Sequence, residues 1–143
     1  MSQALQPHFN KLMTTLDEAH SYLRVYHNKI VNIKDRALEL EKPNLSTERY
    51  SQIQREINID LSEIEKFSDK VTEELKKVKK TGNTFRSRLE LLIFYAPESA
   101  TEAEIFAKQF QNVFEEMLSQ SQRTKEEYGN FKQIMARQNS AQL

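Results

Sequence analysis

Residues 9–40 read FNKLMTT LDEAHSY LRVYHNK IVNIKDR ALEL when broken into sevens. Every block opens on an apolar residue: Phe9, Leu16, Leu23, Ile30, Ala37. The fourth place is apolar too: Leu12, Ala19, Tyr26, Ile33, Leu40. Apolar side chains at alternating steps of three and four line one stripe of an α-helix, the a and d positions of a heptad. A helix of this length, about 50 Å at 1.5 Å per residue, needs partner helices to keep such a stripe out of water. Pro43 ends the run, because the residue before a proline is pushed out of helical geometry.

Outward from this stretch the same grammar continues. Ser46 or Thr47 offers a cap for a second helix, in which Tyr50, Ile57, Ile64, Val71 and Val78 repeat at seven-residue spacing. Lys76, Lys77, Lys79 and Lys80 followed by Thr81-Gly82-Asn83 predict that this helix stops there, with cations against the macrodipole and Gly as the left-handed residue. Phe85 to Ala96 reads as a short apolar helix, largely buried, ended by Pro97. Thr101 and Glu104 have the spacing of a capping box for a last helix. Its apolar face turns polar through Gln120, Thr124 and Glu127 before Tyr128 and Phe131.

The expected fold is all-α: an elongated antiparallel helical bundle, coiled-coil-like, with three long helices plus one short apolar helix. The helices fall at about 8–42, 46–80, 84–96 and 101–137 in a single domain, with a frayed tail at 138–143.

Composition agrees. Two glycines and three prolines in 143 residues leave little room for hairpins, and 29% charged with 38% hydrophobic residues suits helices that bury one stripe and solvate the rest. The formal net charge is zero, so no basic excess points to nucleic acid. Cysteine is absent, which removes disulfides and thiolate metal sites. The first ten residues lack the pattern of a signal peptide, and the longest apolar run, Leu91 to Ala96, is far shorter than a membrane span. These features predict a soluble, cytoplasmic protein.

No set of residues spells out catalysis or a cofactor. Neither Gly82 nor Gly129 lies in a phosphate-cradling motif. His20 and His27 are two helical turns apart, about 10 Å, too far to share one metal ion. Asp17 and His20 have the spacing of a di-iron bundle element, but that element must occur twice. Adjacent acids such as Glu73-Glu74 point about 100° apart and form no acid/base pair. The protein is therefore expected to be non-enzymatic, without metal or cofactor.

Two surfaces stand out instead. Val25, Val31 and Leu38 lie off the main stripe of the first helix and Ile59 off that of the second. With Tyr128 and Phe131 they are the candidate residues for binding a protein partner or a second copy. The basic cluster Lys76, Lys77, Lys79, Lys80, Arg86 and Arg88, beside the apolar 89–95 segment, is the alternative: a site for an anionic membrane surface or another polyanion.

Phe94-Tyr95-Ala96-Pro97-Glu98 followed by Phe106, Phe110 and Phe114 also resembles the C-terminal helices of formin homology 2 domains, over residues 85–120. That resemblance implies an actin-related scaffold role. The leading expectation is a helical interaction or assembly protein that oligomerises or binds a partner through its heptad seams and leftover apolar strips.

Overall fold

A computed structural model of the chain describes residues 2–141, with side chains from 5 to 139. The described residues are almost all helical and contain no strand. Three long helices account for them: α1 (Ser2–Glu39), α2 (Thr47–Tyr95) and α3 (Ala100–Ala141), with a single 3₁₀ turn at Pro97–Ser99.

The break expected at Thr81-Gly82-Asn83 is not there. α2 runs unbroken through it, so the segments expected at 46–80 and 84–96 are one helix of 49 residues. Apolar side chains bury on both sides of Gly82, through Val78, Phe85 and Leu89. Their burial outweighs the cost of about 1 kcal/mol that an interior glycine imposes. Gly82 is also useful where it stands, since a Cβ there would lie 3.1 Å from the Phe110 ring tip.

α1 starts earlier than expected and carries Pro7 within its first two turns. Pro7 lies just past the four N–H groups that lack partners, so it removes the bond to the Gln3 carbonyl, a loss confined to the end turn of the helix. Thr101 does not cap α3, because the helix begins at Ala100 after the 3₁₀ turn. No side-chain cap bond replaces it at that turn. Gln138 is not frayed: it is buried, and its amide donates to the carbonyl oxygen of Ala37 at 2.6 Å. That carbonyl is free to accept because the Glu41 amide bonds to Leu38 instead. Residues 142 and 143 of the expected tail lie outside the described residues.

Tertiary contacts group the chain into two compact units, each drawing on all three helices. One unit comprises Leu23–Lys70 and Gln120–Leu143. Its core holds Ile30, Ile33, Ala37 and Leu40 from α1, Ile53, Ile57 and Ile64 from α2, and Phe131 and Ile134 from α3. Ion pairs Lys29–Glu63 and Arg36–Glu56 set α1 and α2 antiparallel here. Lys34–Glu127 and Glu41–Arg137 set α1 and α3 parallel.

The other unit comprises Met1–Tyr22 and Val71–Ser119. At its centre Phe9, Phe85 and Phe106 meet, one from each helix, with ring centroids 4.7 to 6.3 Å apart. Such tilted and edge-on pairs add attraction beyond their burial. Leu12 and Leu16 of α1 and Met117 of α3 are fully buried in the same unit.

Thus Leu12, Leu16, Ala19, Leu23, Ile30, Ile33, Ala37 and Leu40 are all buried by this one chain. The α1 stripe is consumed in folding. No helix is long and apolar enough, among the described residues, to cross a membrane.

Candidate functional site

Once the seams are filled, what remains exposed identifies the working surfaces. The sequence-predicted apolar strip is dispersed. Val25 and Leu38 are exposed, Val31 is half-buried, and Ile59 stands out at 61%. Val25 and Leu38 are thirteen residues apart, which at 100° per residue puts them about 140° from each other around α1. They do not form one face. Phe131 is corrected outright: it lies in the core at 4% exposure. Tyr128 packs half-buried beside it, stacked at 6.1 Å, with the Lys132 ammonium over its ring.

The concentrated apolar surface is elsewhere, at the end of α2 that had been expected to be buried. Leu91, Ile93, Phe94 and Tyr95 are exposed at 57%, 40%, 76% and 79%. Ile105, early in α3, is exposed as well. The Phe94 and Tyr95 rings meet edge-on at 5.1 Å. At 100° per residue these positions cover most of the helix circumference, with half-buried Leu92 in the remaining sector, so the last turn of α2 is an apolar knob. A single exposed apolar residue means little, whereas four in five positions form a patch.

One to four turns back along the same helix lies a cationic groove of about 340 Å³. Lys77, Lys80 and Arg88 of α2 line it together with His8 and Lys11 of α1. Phe85, Thr81 and Thr84 complete its lining. Lys77 is held by Glu74, whose carboxylate accepts from the ammonium at 3.1 Å. That hydrogen bond, and then the Glu74 charge, raise the Lys77 pKa above its ordinary value. Lys11, Lys80 and Arg88 are exposed and form no ion pair among the described residues.

The groove divides the expected basic cluster. Lys79 and Arg86 fall instead on the rim of a second, apolar groove of about 220 Å³, walled by Phe85, Leu89, Phe110 and Phe114. Lys76 is exposed and lines neither. Sequence reasoning missed His8 and Lys11, which only helix packing brings to the α2 cations.

His27 of α1 and Thr124 in the polar stretch of α3 have a structural role. Thr124 is buried and its hydroxyl donates to the Gln120 carbonyl at 2.8 Å. That leaves its oxygen to accept from His27 Nδ1–H at 2.9 Å, which assigns the proton to Nδ1. Further along the same two helices Lys34 of α1 pairs with Glu127 of α3. This polar layer explains why the α3 stripe loses its apolar residues at Gln120, Thr124 and Glu127. Among the described residues no group of three or more His, Cys, Asp or Glu side chains is placed to hold a metal ion.

Comparison with known proteins gives no match to a family model, a curated protein or a solved structure. The formin homology 2 resemblance of residues 85–120 finds no support there.

Proposed function

We propose that the chain is a non-enzymatic interaction module whose working surface is the apolar end of α2. The observation that carries this reading is the clustering of exposed Leu91, Ile93, Phe94 and Tyr95 within five residues at the end of α2, where the exposed large apolar residues elsewhere in the chain are dispersed. Water contact with this much apolar area is unfavourable by roughly 25 cal/mol per Å², so a binding partner that covers it gains affinity. Aromatic anchors such as Phe94 and Tyr95 are the residue types that dominate binding energy. Polar groups that do converge inside the fold, His27 with Thr124 and Gln138 with Ala37, are engaged in structural hydrogen bonds. Assembly through the α1 seam is not part of this reading, because that seam is already covered.

A photoreactive phenylalanine placed at Phe94, and separately at Ile59, tests it in cells of the native host. The expected outcome is an adduct with another molecule from position 94 and not from 59, abolished by Leu91→Ser/Tyr95→Ser. Equal yields at both positions, or none at 94, overturn it.

A further inference from the structure

We propose that the partner is an anionic phospholipid membrane: the cationic groove receives lipid phosphate while the apolar end of α2 enters the same bilayer. This inference rests on the reading of the α2 end as a binding surface and names what covers it.

Three observations carry it. The first is continuity along one helix face. Thr84, Arg88, Leu91 and Tyr95 follow at steps of four, three and four, so the groove's cations and two knob residues share one side of α2. The second is distance. Arg88 and Tyr95 are two turns apart, about 10 Å along the axis at 1.5 Å per residue. That is close to the 5–10 Å by which interfacial apolar groups sink below the headgroups. With the end of α2 pointing into the bilayer, Arg88 stands at phosphate level when Tyr95 reaches the acyl boundary, and Lys80, about 12 Å further back, attracts the surface from the water side. Tyrosine is favoured at that boundary, where its ring is apolar and its hydroxyl stays wet.

The third is charge. Lys11, Lys80 and Arg88 are unpaired among the described residues and reach the groove from two helices. Glu74 is engaged with Lys77, and Glu73 and Glu18 lie near it. Glu90 projects about 160° away from Arg88 around α2. Glu98 sits on the 3₁₀ turn, and Glu102 and Glu104 on the start of α3. None of Glu90, Glu98, Glu102 and Glu104 lines the groove. A duplex nucleic acid is favoured less by the same facts, because the phosphate backbone offers nothing to four exposed apolar side chains.

The test is co-sedimentation of the full chain with phosphatidylcholine vesicles. These carry none or about 30 mol% phosphatidylserine, at about 0.05 M and about 0.5 M salt. Binding is expected only to the anionic vesicles, and only at low salt. Lys80→Gln/Arg88→Gln should weaken it about fivefold for each cation removed. Phe94→Ser/Tyr95→Ser should weaken it at least as much, and Val25→Ser/Ile59→Ser should leave it unchanged. Circular dichroism confirms that each variant stays helical, as expected for exposed positions.

Binding to neutral and anionic vesicles alike, or unaffected by Lys80→Gln/Arg88→Gln, overturns the proposal. So does binding to free inorganic phosphate or duplex DNA without binding to vesicles. If vesicles fail but position 94 still forms a protein adduct in cells, the lipid assignment falls and the interaction reading stands. If both fail, both fall.

Discussion

The two interhelical turns are built in opposite ways. Between α1 and α2 everything is fastened. Asn44 takes up the left-handed backbone at φ 65°, a conformation asparagine tolerates better than most residues. The Ser46 hydroxyl accepts the Arg49 amide at 3.1 Å and caps α2. Arg49 reaches back to Glu39 at 2.9 Å, Leu40 is buried, and Leu45 and Tyr50 pack on the core. Between α2 and α3 there is no side-chain cap on the 3₁₀ turn, and the largest side chains face out. One turn is spent on stability, and the other leaves apolar surface that stability does not require.

The largest test of that contrast sets a core residue against a knob residue. Ile57→Ala removes a fully buried side chain and should cost about 2–5 kcal/mol in urea denaturation. Phe94→Ala, despite deleting a larger side chain, should change stability by no more than about 0.5 kcal/mol. A comparable cost for the two would mean that Phe94 is covered within the folded chain. One step smaller, Ser46→Ala should lower stability by about 1 kcal/mol through loss of the α2 cap. If thermal denaturation shows no change, the cap is not what fixes the α1–α2 turn.

The two helical glycines sharpen the comparison within helix interiors. Gly129 has open space where a Cβ would go, so Gly129→Ala should add up to about 1 kcal/mol. Gly82→Ala should add less, because the new methyl meets the Phe110 ring tip at 3.1 Å and the ring must tilt into the adjoining groove. Equal gains in melting temperature would show that Phe110 does not pack against Gly82.

The α1 stripe was legible because periodicity is a local property and the partners had only to exist. The unbroken α2 was legible too, and the wrong signal won. Lys76 to Asn83 carries every mark of a helix end, yet the repeat Ile57, Ile64, Val71, Val78 continues at Phe85 in the same register. A buried stripe that keeps its phase across a glycine argues for one helix, since tertiary burial outweighs propensity. The exposed knob was misread for a different reason. Rich apolar composition predicts burial only where another element is present to bury it, and the end of a long helix can outrun its neighbours. The groove lay beyond the sequence, because joining His8 and Lys11 to Lys80 and Arg88 depends on interhelical register. Only its α2 half was visible as a cluster.

The smallest effect concerns the inner end of that groove, where fold and site overlap. Lys77 is mostly exposed while Glu74 is buried at 3%. The ammonium's pKa is raised by its hydrogen bond to Glu74 and then by the Glu74 charge. A group whose folded pKa lies above its unfolded value binds its proton more tightly in the folded state. Its contribution to stability is therefore fully present below the unfolded lysine pKa of about 10.4. It is lost as pH rises through the folded value. Lys77→Gln should therefore melt at a lower temperature than the wild type near neutral pH, and the gap should close in alkaline solution above the lysine range. A gap that persists there would assign Lys77 a packing role, its stem covering apolar surface beside Glu74. In that case the ammonium is held less by Glu74 than the geometry implies, and is freer to face the groove.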